Sequence, residues 1–240
     1  MIKEETLGDT PIETSFPVDS TMTGRVVAVH MGTKGDVRLY RPNDFEVLAG
    51  DTDVTITELP NGRVINISDP ETGNWRVSVD GLSGVTYSLS VSGNTPLRFS
   101  RFDFVELKGR FAHEGLFPID GDPIAGVSST AMARLYGPYN SGFVGFMLRD
   151  ESDGFIDEPM LSLGGDNAFE DDFVGAVTLQ SGVRFRAYAI GEDENGFLFL
   201  RAYPPTFLPQ SVQVEARYLD SDSGMSAGKK YRAHCRVTNR

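Results

Sequence analysis

The chain has little cysteine and no long apolar run. Its 240 residues include a single cysteine, Cys235. One thiol cannot form an internal disulfide, which argues against a small, disulfide-rich secreted module. No run approaches the stretch of about 18 apolar residues that a membrane helix needs. The first ten residues, MIKEETLGDT, lack the basic start and apolar core of a signal peptide. We therefore expect no membrane insertion.

Basic residues are also scarce. The 22 lysines and arginines face 34 acidic residues, which gives a net charge of −12. A surface this acidic repels phosphate backbones, so nucleic acid is not expected as a partner. The content of 40% hydrophobic and 23% charged residues is that of a soluble globular protein. No stretch has the periodicity of a three-turn helix, which disfavours an α/β enzyme scaffold.

Catalytic motifs are missing as well. The three histidines, His30, His113 and His234, lie in unrelated segments, and His113-Glu114 is not followed by the second histidine of a zinc-protease helix. There is no Gly-x-Ser-x-Gly elbow before a helix and no phosphate-binding glycine loop. The sequence therefore predicts a protein that is not an enzyme and has no cofactor, with weak calcium binding as the alternative.

Short strand-like runs separated by Gly, Pro, Asn and Asp fill most of the chain. They predict an all-β fold of two consecutive antiparallel β-sandwiches. We predict a linker at residues 1–15, a first sandwich at 16–104 and a second at 105–216. Residues 217–240 form either a tail or the start of a further domain.

The clearest local pattern is a hairpin from Val183 to Tyr203. Its first strand alternates between two faces, and Asn195-Gly196 suits a tight turn. The return strand is apolar on both faces apart from Arg201, which predicts that this arginine is buried and needs a polar partner. We expect it to hydrogen-bond within its own domain, to Asp193 across the hairpin.

Several motifs occur in an order that resembles the hemicentin family of extracellular proteins. Residues 16–20 read FPVDS, residues 39–42 read LYRP and residues 69–75 read DPETGNW. The fourth piece is the hairpin, which carries Gly191, Asp193, Phe199 and Arg201 at the family's spacing. The sequence contains no match to the von Willebrand factor A domain that precedes this region in the family.

The resemblance covers about residues 16–238 and implies both a fold and a function. It implies a galactose-binding-like, jelly-roll-like sandwich, then an immunoglobulin-like sandwich, then the opening of another immunoglobulin domain. It also implies a secreted, non-enzymatic structural and adhesive protein of the extracellular matrix or cell surface. Its partners would be other extracellular proteins or copies of itself. The chain would be a piece of a longer protein, and Cys235 would form a disulfide with a residue outside it.

Two alternative functions stay open on the residues. Trp75 alternates in phase with Val77 and Val79, which predicts core packing. The same ring could instead stack on a sugar, which would make the chain a carbohydrate-binding module that uses Trp75 or loop aromatics at positions 136, 139 and 143. The other alternative is a structural assembly protein of a larger particle.

Two further site predictions rest on local sequence. Asp150 and Asp153 lie in an acidic loop, and carboxylates are the ligands that calcium prefers. The spacing does not fit a twelve-residue calcium loop, so a solvated loop is favoured over a weak calcium site. The same interpretation applies to acidic clusters at residues 166–172 and 220–222. Asn66-Ile67-Ser68 is a glycosylation sequon, which would be used if the chain is secreted.

Overall fold

Every regular element in the described part of the chain is a β-strand. A computed structural model describes residues 2–33, 35–159, 161–164, 171–218 and 233–239. Within these ranges there is no helix long and apolar enough to cross a membrane. All strands that share a sheet are antiparallel.

The strands, in chain order, have the following bounds: β1 (Ile2–Thr6), β2 (Ile12–Val18), β3 (Gly24–Met31), β4 (Asp36–Tyr40), β5 (Val54–Leu59), β6 (Gly62–Ser68), β7 (Gly73–Asp80), β8 (Thr86–Asn94), β9 (Arg98–Lys108), β10 (Gly115–Pro118), β11 (Ser128–Tyr136), β12 (Tyr139–Asp150), β13 (Phe155–Asp157), β14 (Ser162–Leu163), β15 (Asp172–Thr178), β16 (Phe185–Asp193), β17 (Leu198–Ala202), β18 (Val212–Tyr218) and β19 (Ala233–Asn239).

The first sandwich packs a five-stranded sheet, in the order β1-β8-β3-β6-β5, against the three-stranded sheet β2-β7-β4. Side chains from both sheets form one core, because alternate residues of each strand point inward. In β8, for example, Tyr87, Leu89 and Val91 are buried while Ser90 and Ser92 are exposed. The largest side chain in this core is Trp75.

The second sandwich pairs the sheet β10-β9-β11-β15-β14 with the sheet β13-β12-β16-β17. If β9 is taken as strand A of an immunoglobulin domain, the first of these sheets has the order A-B-E-D, with β10 added beside strand A. The second sheet then has the order C′-C-F-G. The core has no cysteine. It is filled largely by phenylalanines in edge-to-face and tilted contacts. The all-β class with two antiparallel sandwiches is therefore confirmed.

The boundary between the two sandwiches differs from the prediction. The first core ends at Val91, and the second begins at Leu97. Leu97, Phe99, Phe102 and Phe104 were assigned to the first sandwich but pack in the second, because β9 pairs with β11. The alternation of apolar residues in 97–104 predicts a strand, but it does not predict which sheet that strand joins.

Residues 1–15 were predicted to be a linker, and this is wrong for most of that segment. β1 pairs with β8, β2 begins at Ile12, and Leu7 is buried in the first core. The charged run Lys3-Glu4-Glu5 lacks the apolar alternation from which a strand is recognised in a sequence. An edge strand packs few apolar side chains into the core and therefore often carries charged residues.

The last two strands form a sheet of their own. β18 pairs with β19, so that Ala216 lies opposite Cys235. This separate pairing begins at Val212, inside the segment that was assigned to the second sandwich. The residues between the two strands, including the acidic cluster at 220–222, lie outside the described part of the chain, as do most of residues 166–172.

Candidate functional site

A buried arginine joins the two sandwiches. Arg201 lies in β17 of the second sandwich and is 8% exposed. Its Nη2 donates to Oδ2 of Asp19 at 2.6 Å, and Asp19 follows β2 of the first sandwich. Its Nε donates to the carbonyl of Leu97 at 2.9 Å and its Nη1 to the carbonyl of Leu200 at 3.1 Å. The guanidinium is therefore bonded on both sides of the domain boundary.

Asp193 makes the reciprocal connection from the second sandwich. Its Oδ2 accepts hydrogen bonds from the backbone N of Ser20 at 2.8 Å and from the Ser20 hydroxyl at 2.6 Å. Its Oδ1 accepts from the backbone N of Asn195 and of Phe197, both at 2.9 Å, which fixes the turn of its own hairpin. Burial favours a higher pKa for Asp193, but these hydrogen bonds outweigh it and hold the pKa below its ordinary value.

A second buried arginine completes the cluster. Arg25 donates to the carbonyl of Pro17 at 2.5 Å and lies over the ring of Phe16. Its pKa is lowered to about 10, chiefly by burial and additionally by the nearby charge of Arg201, while Asp19 opposes both effects. Burial likewise lowers the pKa of Arg201 against the pull of Asp19.

We call this cluster of two arginines and two carboxylates, Arg25, Arg201, Asp19 and Asp193, the junction network. Its formal charges balance. Asp19 is 1% exposed and also accepts hydrogen bonds from the backbone and the hydroxyl of Thr21. A carboxylate that is buried this fully requires such partners to offset its desolvation. The network is not complete, because Nε of Arg25 is buried without a hydrogen-bond partner among the described residues.

The sandwiches also touch at a second, distant point. The backbone N of Glu4 in β1 donates to the carbonyl of Glu151 at 3.2 Å. Glu151 follows Asp150, which pairs with the first residue of β16, whereas Asp193 is the last residue of that strand. The nine residues of β16 span about 27 Å. Contacts at both ends of one strand resist rotation of one sandwich against the other.

The expected partner of Arg201 was therefore wrong in one respect. Arg201 is buried and hydrogen-bonded, but its carboxylate partner is Asp19 of the first sandwich. Asp193 instead accepts hydrogen bonds from Ser20. Two motifs of the resemblance, FPVDS and the hairpin, thus meet at the junction. Sequence reasoning did not identify Arg25 as part of it, because an arginine in an alternating strand gives no signal of burial.

The other two motifs meet inside the first sandwich. Gly73 has a φ of 132°, and a Cβ at this position would lie 2.9 Å from the ring of Pro42. The guanidinium of Arg41 lies over the ring of Trp75, whose Nε1 donates to the carbonyl of Glu71 at 2.8 Å. Trp75 is fully buried, so the interpretation of it as a sugar contact is wrong and core packing is correct.

The remaining motif residues of the hairpin have packing roles. Phe199 is fully buried in the second core. A Cβ at Gly191 would lie 2.9 Å from the Phe199 ring and closer still to the carbonyl of Phe143. Only glycine fits between them.

The loop aromatics differ in exposure. Tyr136 and Phe143 are exposed near the β11–β12 turn. Tyr139 is partly buried against the second core, beside Phe173. Exposed rings are available for a ligand, whereas Tyr139 contributes mainly to packing.

Oδ1 of Asp150 and Oδ2 of Asp153 have hydrogen-bond partners, whereas Oδ1 of Asp153 is buried without one in the described part of the chain. Oδ1 of Asp150 accepts from the backbone N and the hydroxyl of Ser152 and from the backbone N of Gly154, at 2.7 to 2.9 Å. Oδ2 of Asp153 accepts from Arg149 at 2.8 Å. Among the described residues, no three acidic, histidine or cysteine side chains gather into a cation site. This geometry is that of a self-contained turn, as the favoured interpretation of the sequence expects, and weak calcium binding stays the alternative.

Asn66 and Cys235 are both exposed. Asn66 lies in β6, between β3 and β5, on the outer face of the first sandwich. A glycan at this position would not disturb the core. Cys235 lies in β19, with a free thiol at the surface.

Comparison with known proteins identifies the first sandwich. Residues 1–96 match the family model described as the hemicentin galactose-binding domain-like domain. The first sandwich is thus a hemicentin-like, galactose-binding-like β-sandwich. A search of curated protein sequences finds no significant match.

Solved structures give only distant similarity. One is Bacillus licheniformis lipase BlEst2 in propeptide form, at 12% identity and a TM-score of 0.38, over 86% of this chain and 42% of the lipase chain. Another is the Ig1-2 module of the Drosophila receptor protein tyrosine phosphatase DLAR, at 11% identity and a TM-score of 0.26, over 80% of this chain and 97% of the DLAR chain. A third is Bifidobacterium dentium beta-glucuronidase, at 12% identity and a TM-score of 0.31, over 86% of this chain and 40% of the glucuronidase chain. The chain thus spans less than half the length of the lipase and glucuronidase chains.

Proposed function

We propose that the chain is a non-enzymatic structural and adhesive module of an extracellular matrix or cell-surface protein, and that it acts through protein–protein contacts. The match of residues 1–96 to the hemicentin domain supports the class and the extracellular location. The observation that carries the proposal is the junction network, which bonds the two sandwiches through buried charges.

A buried ion pair is weak evidence for stability, because desolvation offsets its attraction. Its stronger effect is on geometry, since a different orientation of the two sandwiches breaks the hydrogen bonds that Asp19 and Asp193 make across the boundary. Domains joined by an ordinary small interface move relative to one another. A chain that fixes the orientation of two sandwiches keeps its exposed edges and loops at constant spacing, which suits a structural module.

Small-angle X-ray scattering tests the fixed orientation. The wild-type chain is expected to fit a single arrangement of the two sandwiches at all salt concentrations. The variant Asp19→Asn is expected to sample a broader set of distances. The control Asp172→Asn removes a buried bidentate partner of Arg134 inside the second sandwich and should leave the orientation unchanged. Wild-type scattering that requires many orientations contradicts the proposal.

The extracellular location has its own test. Intact mass of the protein from its native source is compared before and after glycosidase treatment, and Ser68→Ala serves as a control that removes the sequon but keeps Asn66. Glycan on Asn66, or a disulfide that includes Cys235 in the full-length protein, supports secretion. An unmodified Asn66 together with a reduced Cys235 contradicts it.

The exposed rings favour one second candidate, a carbohydrate-binding module. Tyr136 and Phe143 lie near one turn and are accessible to a ligand. A glycan array should then show saturable binding to the wild type and none to Tyr136→Ser/Phe143→Ser. Binding that this double variant retains rules out these rings as the contact.

A further inference from the structure

The turn between β16 and β17 contains an Asn-Gly pair. The backbone N of Gly196 donates to the carbonyl of Asp193 at 3.1 Å, and the backbone N of Asp193 donates to the carbonyl of Phe197 at 2.9 Å. Gly196 has a φ of 81°, which is the conformation that a short hairpin loop of this kind assigns to glycine. Asn195 and Gly196 are both exposed. The geometry of the turn therefore places a glycine directly after an accessible asparagine.

Asn195 also reaches the first sandwich. Its Nδ2 donates to the hydroxyl of Ser20 at 2.8 Å. The same hydroxyl donates its only hydrogen to Oδ2 of Asp193 at 2.6 Å, because an ionised carboxylate can only accept. Ser20 can therefore only accept from the side chain at position 195. The amide of Asn195 supplies the hydrogen that this contact needs, and a carboxylate in its place would not.

An Asn-Gly pair can lose its side-chain amide without an enzyme. The backbone N of Gly196 attacks Cγ of Asn195, so that a new C–N bond forms and the bond from Cγ to Nδ2 breaks. Ammonia leaves with the proton from the backbone N, and a cyclic succinimide remains. Water then opens this ring at either carbonyl and gives aspartate or isoaspartate. Glycine has no side chain to hinder the approach of its own backbone N.

We propose that Asn195 is such a modification site, and that its conversion to a carboxylate weakens the junction between the two sandwiches. The aspartate product offers no hydrogen to Ser20 and places a second carboxylate next to Asp193. Two carboxylates then compete for one hydroxyl hydrogen and repel one another. The isoaspartate product also adds a methylene group to the backbone of the turn. That backbone holds Oδ1 of Asp193 through the N–H groups of Asn195 and Phe197.

The folded turn controls the rate of this reaction. The attacking nitrogen must give up the hydrogen bond from Gly196 to Asp193, and the side chain of Asn195 must leave Ser20. Both changes require local opening of the turn, so an intact junction slows the loss of the amide. Each converted turn holds its junction less firmly. The modification therefore acts in one direction, toward sandwiches that move relative to one another.

The modification removes the fixed orientation that the proposed function requires, and the inference rests on that function. Peptide mapping by mass spectrometry, during incubation of the whole chain at mildly alkaline pH, measures the loss of ammonia. Asn195 should be converted in the folded chain, and more slowly than in the same chain unfolded by urea. Asn61, which precedes Gly62 at the β5–β6 turn of the first sandwich, is the internal reference.

One variant in the first sandwich tests whether the junction protects Asn195. Ser20→Ala removes the hydroxyl that holds the amide but keeps the backbone N–H that donates to Asp193. It should speed the conversion of Asn195 by about two- to tenfold, which is the effect of one lost hydrogen bond, and leave Asn61 unchanged. Ser15→Ala is the matched control, because Ser15 is an exposed serine of β2.

The variant Asn195→Asp tests the effect of the product. The backbone N of Ser20 donates to Oδ2 of Asp193 at 2.8 Å, so its hydrogen exchange reports this contact directly. Exchange at Ser20 should be about two- to tenfold faster in Asn195→Asp than in the wild type. Asn61→Asp makes the same substitution away from the junction and should leave this rate unchanged. Small-angle X-ray scattering of Asn195→Asp should show a broader set of distances than the wild type.

The possible outcomes separate this modification from the proposed function. Asn195 that keeps its amide in the folded chain, while the urea-unfolded chain loses it, overturns the modification site. Exchange at Ser20 that is unchanged in Asn195→Asp, or that rises equally in Asn61→Asp, overturns the effect on the junction. Either result, with a wild type of fixed orientation in scattering, leaves the structural module standing. A freshly prepared wild type that samples many orientations contradicts the proposed function and this inference together.

Discussion

Replacement of Asp19 by Asn is the sharpest test of how the two sandwiches are joined. The change keeps the shape of the side chain but removes the charge that Arg201 meets at 2.6 Å. Arg201 then lies beside a second arginine, Arg25, without the carboxylate it is paired with. Breaking one side of a buried ion pair costs about 3–5 kcal/mol.

That cost should appear as a large fall in melting temperature. For a cooperative unit of 150 to 250 residues, each kcal/mol lowers the melting temperature by about 2–4 °C. The expected fall for Asp19→Asn is therefore about 6–20 °C, measured by calorimetry. Asp36→Asn is the control, because the Arg38–Asp36 pair is exposed and is expected to contribute about 0–1 kcal/mol.

A double-mutant cycle then isolates the pair itself. Arg201→Met keeps much of the apolar stem and removes the guanidinium. If Asp19 and Arg201 act as a unit, the double variant should cost less than the sum of the two single variants by at least about 1 kcal/mol. Urea unfolding of the four proteins gives this coupling energy. Effects that add within about 0.5 kcal/mol would show that the pair does not join the sandwiches energetically.

The other predictions concern single sites. The folded-state pKa of Asp193 is depressed, so its stabilising contribution is present above its unfolded pKa of about 3.9 and is lost as the pH falls through the folded value. Urea midpoints should therefore drop in acid, and Asp193→Asn should reduce that drop. Millimolar calcium should leave the melting temperature unchanged against a chelator, because Oδ1 of Asp150 and Oδ2 of Asp153 are already hydrogen-bonded and no third ligand gathers beside them among the described residues; a rise of several degrees would contradict this. Trp75→Phe should destabilise the first sandwich by about 1–3 kcal/mol through lost packing and an unpaired carbonyl, as measured by urea unfolding. Gly191→Ala should lower the melting temperature of the second sandwich, because the added methyl group meets the Phe199 ring; an unchanged value would refute the packing argument.

The features that the sequence predicted correctly are local ones. The Val183–Tyr203 hairpin forms β16 and β17, and Trp75 is buried on the face that its strand alternation indicates. Both follow from period-two patterning, which depends only on residues two apart. Phe199 is buried for the same reason.

The features that it missed depend on residues far apart in the chain. Asp19 and Arg201 are 182 residues apart, and no periodicity connects them. The pairing of β9 with β11 moved Leu97 and Phe104 into the second core, although their strand pattern fits either sandwich. A strand can be recognised from its own residues, whereas its sheet is decided by which partners complete the core and the hydrogen bonds.

The four motifs of the resemblance belong to one physical arrangement. β2 carries residues 16–18 alongside Gly73 and Trp75 of β7, and it ends where Asp19 enters the junction network. A change at any one of these positions leaves its partner in an unfavourable state: an unpaired Arg201, or a Pro42 in contact with an added Cβ. A single change at one of these positions is therefore expected to be destabilising. The three motifs of the first sandwich therefore belong to one set of contacts, and the hairpin motif of the second sandwich joins that set through Asp193 and Arg201.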